Sequence, residues 1–260
     1  MLIAHISDFH VFHDRAETPL VRPDAARAAR RVVEDMAQFS PGFDAVAFTG
    51  DLTDGGSTED YDLLRDVLSP LKIPVFVVPG NHDRRATLRS AFGGDIPFED
   101  GHFLNYENHL GFLRILALDT LIEGRSEGAL APESLHWLAG KLASPALAPI
   151  LLLLHHPPFP TGIDALDRSA LTGGREEMAE MIRAYQSPLI ILAGHIHRPF
   201  QAIWNGAYCA VAGSPAFQIA LDLAASEHGP GRVSEPYAYY VYRIDETGGF
   251  TVHTRFVALD

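Results

Sequence analysis

Short apolar runs that break off into small polar clusters recur along this chain, and longer segments with helical spacing separate them. Leu2 to Ile6 reads as a buried strand ending in Ser7-Asp8-Phe9-His10, and Phe43 to Thr49 as a second ending in Gly50-Asp51. Between them, Asp24 to Gln38 carries apolar residues at helical spacing, with Pro23 just ahead as a start signal. Ser57 is the predicted N-cap of a further helix: Glu59 and Asp60 occupy its first turn, and Leu63, Leu64 and Val67 form one apolar face. The region of Pro70 closes it. A third strand, Ile73 to Pro79, leads into Gly80-Asn81-His82-Asp83, and a short helix is expected near Arg84 to Phe92.

The second half is more varied. His102 to His109 and Leu113 to Leu118 read as a hairpin around Leu110-Gly111, and Pro132 opens a helix that runs to Leu142. Ile150 to Leu154 is a fully apolar strand ending in His155-His156-Pro157-Pro158. A helix from Gly174 to Tyr185 precedes the strand Leu189 to Ala193, which ends in Gly194-His195-Ile196-His197. From Gln201 onward the chain alternates like antiparallel strands, with a turn at Thr247-Gly248-Gly249. Phe159 to Gly173 and Ala224 to Glu235 are candidate loops beside a site. No repeat, low-complexity tract or linker interrupts the pattern, so one domain over residues 1–260 is expected, with 201–260 as its C-terminal antiparallel segment.

Composition narrows the class. A hydrophobic content of 47% supports a large core, and a net charge of −13 argues against a nucleic-acid polymer as partner. The one cysteine, Cys209, lies in an apolar run and reads as a small core residue; it indicates no oxidising compartment. The N-terminus lacks a basic region and a cleavage pattern, and the longest apolar run, Ala148 to Leu154, is too short to span a bilayer. A soluble, cytoplasmic protein without membrane association is expected. The unusual number is thirteen histidines, the commonest metal ligand and near-neutral acid or base.

Their placement carries the chemistry. Asp8-x-His10, Gly50-Asp51, Gly80-Asn81-His82-Asp83, His155-His156 and Gly194-His195-x-His197 all fall at the same end of predicted strands. Singly, each is weak: Gly-Asn-His-Asp is equally a turn, and a lone histidine after a strand is more often structural. Strands sharing a sheet would bring together two carboxylates, one amide and four or five imidazoles, enough for two metal ions if one carboxylate bridges. Carboxyl ends of strands are where α/β proteins bind ligands. With no thiolate, and with imidazole, carboxylate and amide mixed, the set suits Fe, Mn, Zn or Co better than Mg or Ca. A centre of net positive charge within an acidic protein favours a phosphate ester.

On these residues the sequence resembles the calcineurin-like metallophosphoesterases, whose signatures run in the same order from Asp8 to His197. "AHISDFH", "GDLTD", "PGNHD", "HHPPFP" and "GHIH" are most similar to the bacterial cyclic-nucleotide and glycerophosphodiester phosphodiesterases. The resemblance implies an α/β fold, a four-layer α/β/β/α sandwich of two mixed sheets flanked by helices. It implies one metal held by Asp8, His10 and His197 with Asp51, and a second by Asn81, His155 and His195, with Asp51 bridging. The family's histidine two residues before proline selects His155 over His156. His82 then faces the phosphate without binding metal, stabilising the pentavalent phosphorus or protonating the leaving oxygen, and Asp83 matches the acidic residue that orients it. His5 reads as structural.

Asp54-Gly55-Gly56 stands where protein phosphatases of this fold carry an arginine, and Asp54 where purple acid phosphatases carry a tyrosine ligand. Both departures lower the odds of those activities. The expected activity is metal-dependent hydrolysis of small phosphodiesters, 3′,5′-cyclic nucleotides first and glycerophosphodiesters second. A nuclease is disfavoured by the acidity, and a non-catalytic scaffold by the full ligand set. Val11 to Arg22, Phe159 to Gly173 and the segment after Gly213-Ser214-Pro215 are expected to set specificity. Phe9, Phe12, Phe159 and Phe217 are candidate walls for a nucleobase. The resemblance also implies a homodimer or higher homo-oligomer.

Overall fold

The computed structural model describes residues 1–143, 148–224 and 230–259. Its first half follows the expected alternation: β1 (Leu2–Ile6), α1 (Ala25–Gln38), β2 (Ala45–Phe48), α2 (Thr58–Leu68), β3 (Val75–Val77) and α3 (Arg85–Phe92). Ser57 caps α2 reciprocally. Its hydroxyl accepts from the Asp60 amide and the Asp60 carboxylate accepts from the Ser57 amide, both at 3.1 Å. Such a cap is worth about 1 kcal/mol.

The hairpin follows as β4 (Tyr106–Leu110) and β5 (Leu113–Ala117). Its first strand starts at Tyr106 rather than His102, because the preceding residues bond elsewhere: the Leu104 amide to Asp119, and the Asn105 side chain to Ser134 and the Asp119 amide. Next come β6 (Gly128–Ala129), α4 (Pro132–Leu142), β7 (Ile150–Leu153), α5 (Asp164–Asp167), β8 (Leu171–Gly173), α6 (Arg175–Ala184) and β9 (Leu189–Ala193). The expected loop Phe159 to Gly173 therefore contains α5 and β8, and β8 pairs with β6. The chain ends with β10 (Phe200–Trp204), β11 (Ala207–Val211), β12 (Gln218–Ile219), β13 (Arg232–Val233), β14 (Tyr237–Ile244) and β15 (Phe250–Val257). Of the candidate loop Ala224 to Glu235, residues 225–229 lie outside the described residues, and β13 pairs with β12.

Two mixed sheets result, ordered β15-β14-β1-β2-β3 and β10-β11-β9-β7-β5-β4. The C-terminal segment is divided between them. The β10–β11 hairpin joins the second sheet with β11 parallel to β9, and the β14–β15 hairpin covers the free edge of β1 in the first. Strand alternation sorts β7 into two cores. Leu151 and Leu153 pack with residues of the first sheet, while Ile150, Leu152 and Leu154 pack with Leu138 of α4 and Met178 and Ile182 of α6. A continuous apolar run is what burial on both faces requires. Val32, Leu64 and Leu88 of α1, α2 and α3 join the first core, which completes the α/β/β/α layering. Cys209 lies in the second core, as expected. Among the described residues no helix is long and apolar enough to cross a membrane.

Candidate metal centre

Parallel pairing aligns the polar endings of β1, β2 and β3 in one sheet and those of β7 and β9 in the other. The first two stay locked beyond the strands, where the Asp8 amide donates to the Gly50 carbonyl and the His10 amide to the Asp51 carbonyl, both at 3.0 Å. Among the described residues six non-glycines have positive φ: Asp8, His10, Asp51, His195, His197 and Asn205. Five of these six are expected ligands. Left-handed backbone costs a non-glycine residue about 1–3 kcal/mol and concentrates at functional sites. Gly50 is in the same region with φ +92°, and a Cβ there would lie 2.5 Å from His155 Nδ1.

The structure brings all seven expected donors together. His197 Nε2 lies 3.3 Å from Asp8 Oδ1 and 3.1 Å from His10 Nε2. Asn81 Oδ1 lies 3.2 Å from His155 Nε2 and 3.0 Å from His195 Nδ1. Asp51 Oδ2 sits between these groups, 3.5 Å from His10 Nε2 and 3.4 Å from His155 Nε2.

The outer ring nitrogens fix which atoms face inward. His155 Nδ1 donates to the Thr49 carbonyl at 2.7 Å, His197 Nδ1 to the Phe217 carbonyl at 3.1 Å, and His10 Nδ1 meets Asp54 Oδ1 at 2.9 Å. A carbonyl only accepts, so Nδ1 of His155 and of His197 carries a proton and Nε2 of each ring is the atom that faces the centre. His10 and His197 thus press two Nε2 atoms together in a buried site, a contact that only a shared proton or a cation satisfies. Imidazole, carboxylate and amide donors without thiolate fit first-row transition ions.

Electrostatics point the same way. Burial pushes the Asp8 carboxyl up to about 6, against the pull of His155. Burial opposes a charge on His155, yet the nearby Asp51 carboxylate lifts it to about 9. Asp51 itself is held well below the carboxylate range, because His155 and His82 outweigh its burial. Burial, reinforced by neighbouring histidines, drives His195 down to about 3 and His197 well below its ordinary value. Those two imidazoles thus favour the neutral form that a cation needs, whereas on His155 a proton would compete with one.

Around the donors, two expectations fail: the acidic support of His82 and two of the four aromatic walls. His82 is at the centre, but Asp83 does not bond its ring. Asp83 instead accepts from the amides of Leu52, Thr53 and Gly80 and from the hydroxyls of Thr53 and Tyr61. A buried carboxylate seeks that many donors, and the result fastens the Asn81 loop to the turn after Asp51. The acidic neighbour of His82 is Asp54: its carbonyl lies 3.1 Å from His82 Nδ1, and its carboxylate 3.5 Å from the same atom. Asp54 also bonds His10 and the Thr18 amide, which pins the Val11 to Arg22 loop. Its spacing three residues after Asp51 is the signal the sequence carries, but family resemblance marks that position only as a missing arginine or tyrosine.

His156, beside His155, turns away. Its Nδ1 meets Thr120 Oγ1 at 2.8 Å and its Nε2 the Ser126 carbonyl at 3.2 Å. Of the four candidate aromatic walls, Phe9 and Phe159 are buried in the cores, whereas Phe12 and Phe217 are half-buried against Val21, Ala25 and Ala216, and Phe217 also stacks on His197. His5 is buried against Thr49 Oγ1 at 3.0 Å, consistent with a structural role.

A family model described as calcineurin-like phosphoesterase matches residues 1–199. A protein of Arcobacter nitrofigilis named probable glycerophosphodiester phosphodiesterase GpdQ is 33% identical over 257 residues, covering 99% of this chain and 93% of its own. A cAMP/cGMP dual specificity phosphodiesterase of Mycobacterium tuberculosis is 34% identical over 235 residues, covering 86% of this chain and 70% of its own. Among solved structures, a dimetal phosphatase from Danio rerio superposes with a TM-score of 0.70 at 17% identity, covering 100% of this chain and 96% of that one. Purple acid phosphatase PPD1 from yellow lupin gives 0.73 at 15% identity, covering 98% of this chain and 51% of that one. At such identities the two structures speak for the fold alone.

Proposed function

The chain belongs to the calcineurin-like phosphoesterase family, and from that premise we propose that it is a dinuclear metal-dependent phosphodiesterase acting on small diesters. The observation that carries this reading is Asp51 Oδ2, placed within 3.5 Å of a donor from each half of the centre. Asp8, His10 and His197 would hold one ion and Asn81, His155 and His195 the other, with Asp51 shared; Fe, Mn, Zn or Co suit the donors. When bound, such a pair supplies Lewis acidity toward the phosphate oxygens and a hydrolytic water active near neutral pH.

The chain's own residues do the rest. His82 commits Nδ1 to Asp54, so Nε2 is the ring atom free to deliver a proton to the departing oxygen. The Asp54 carboxylate compensates positive charge on that ring. Phe217 packs on His197, the pinned Val11 to Arg22 loop reaches His82 through Thr18, and the strained backbone holds the donors in place without reorganisation.

Cyclic 3′,5′-nucleotides are the first substrate class in this reading. Glycerophosphodiesters are the second, favoured by the full-length match to the Arcobacter relative. The reading further includes one domain, a cytoplasmic location and a homodimer or larger assembly. A panel of cyclic AMP, 2′,3′-cyclic AMP, glycerophosphoethanolamine and a phosphomonoester, assayed with Mn²⁺ and again after chelation, tests it. Metal-dependent turnover of at least one diester above the monoester is expected; a monoester hydrolysed faster than every diester would overturn it.

A further inference from the structure

Residues 214–217, between β11 and β12, press against the centre without supplying any of its donors. Ser214 is fully buried. Its hydroxyl donates to the Asp8 carbonyl at 2.7 Å and accepts from the amides of Ala216 at 3.0 Å and Phe217 at 3.4 Å. A hydroxyl offers one donor and two acceptor sites, so the hydrogen-bonding capacity of Ser214 is fully used.

Each bond leads to the same half of the centre. The Asp8 carbonyl lies in the backbone beneath one expected ligand. The tight turn closed by the two amides ends at the Phe217 carbonyl, which accepts from Nδ1 of another expected ligand, His197, at 3.1 Å. The Phe217 ring also stacks on the His197 imidazole, with centroids 3.7 Å apart. Asp8 and His197 have left-handed backbones and face each other at 3.3 Å, so their local conformations need outside support. The other half is held differently: His155 leans on the Thr49 carbonyl, which Ser7 also engages, and Ser214 reaches none of them.

We propose that Ser214 is a positioning residue for the first half of the centre. It holds the Asp8 backbone and the Phe217 carbonyl at the separation that aims His197 Nε2 at Asp8, and thereby sets the affinity for the ion there. The ion at Asn81, His155 and His195 does not depend on it. The proposal rests on the dinuclear reading above.

Calorimetric titration with Mn²⁺ of metal-stripped wild type, Ser214→Ala and Phe217→Leu tests it, with bound metal counted by elemental analysis. In Ser214→Ala, one ion is expected to weaken by about 10–100-fold, the usual effect of losing a partner behind a ligand, while the other stays within about threefold. Turnover lost at low Mn²⁺ is expected to return at saturation. Phe217→Leu keeps the carbonyl but removes the ring stacked on His197, and is expected to weaken the same ion less than Ser214→Ala does. Two ions weakened equally in Ser214→Ala, or a loss in Phe217→Leu as large as in Ser214→Ala, would overturn the proposal. So would unchanged binding in Ser214→Ala. A wild type holding fewer than two ions would overturn the dinuclear reading itself, and the proposal with it. Ser214→Cys, which fills the same space with a poor hydrogen-bonding group, stands in if Ser214→Ala fails to fold, with the same outcomes on either side.

Discussion

His82 and His155 sit in one centre yet are expected to fail in different ways. His82 lies outside the proposed donor set, so His82→Ala should retain its metal by elemental analysis while kcat falls by about 10²–10⁴-fold, the range for loss of general acid help. His155 is a proposed donor, and a proton bound to it would compete with the cation. Its pKa is raised to about 9, chiefly because Asp51 outweighs burial, so below that pH metal loading must displace a proton. Metal affinity should therefore rise from pH 6 toward pH 9, and calorimetry in buffers of different ionisation enthalpy should detect proton release; pH-independent affinity would contradict the assignment. The strand-end positions of all seven proposed donors were legible in the sequence, because each polar cluster interrupts an apolar run; choosing among the histidines took the family resemblance. The partner of His82 was not. Asp54 and Asp83 are both acidic and both close in sequence to expected site residues, and only folding shows that Asp83 is saturated by backbone and hydroxyl donors while Asp54 lies beside the ring.

Among the elements, the turn after β2 carries the heaviest constraint. Gly50 combines φ +92° with a Cβ position 2.5 Å from His155 Nδ1 and 2.9 Å from the Gly80 amide. Gly50→Ala is expected to destabilise by about 2–4 kcal/mol in urea unfolding, from left-handed strain plus overpacking, and to weaken metal binding through His155. Full wild-type affinity in a folded Gly50→Ala would show that the turn does not govern the ligand. Tyr61 of α2 tests the neighbouring loop, since its hydroxyl donates to Asp83 Oδ1 at 2.8 Å. Tyr61→Phe should cost about 1.5–3 kcal/mol, the range for a bond to a charged group. Element types were readable where propensity, caps and apolar spacing agreed, as at Ser57 and α2. They were less readable where long-range bonds overrode local pattern, as at Leu104 and Asn105, or where a pair as short as β6 and β8 forms only because the chain returns.

At the scale of the whole molecule, sheet order was the least legible feature. β1 pairs with β14 from the far end of the sequence, and no local signal states that the two C-terminal hairpins go to different sheets. One tie between distant elements has a pH signature. Burial would raise the Asp35 carboxyl of α1, but Arg255 of β15 at 2.7 Å and the Tyr239 hydroxyl of β14 at 2.9 Å hold it below its ordinary value. A carboxyl lowered by folding stabilises fully above its unfolded value and loses that contribution as pH falls through the folded one. Since Arg255 is 48% exposed, solvent screens the pair, and about 0.5–1 kcal/mol is the expected size. The stability difference between wild type and Asp35→Asn in urea should thus be present at pH 6 and shrink toward pH 3; a difference that grows on acidification would contradict the sign.

Two sheets, five left-handed donors and a carboxylate placed between their halves converge on one claim, a dinuclear phosphodiesterase centre shared through Asp51. The most direct measurement is stepwise return of Mn²⁺ to the metal-stripped protein, with bound ions per chain and hydrolysis of bis(4-nitrophenyl) phosphate followed together. Two ions should bind, turnover should develop with the second, and Asp51→Ala should lose both ions and the activity. Full turnover with a single ion per chain, or turnover that survives stripping, would contradict it.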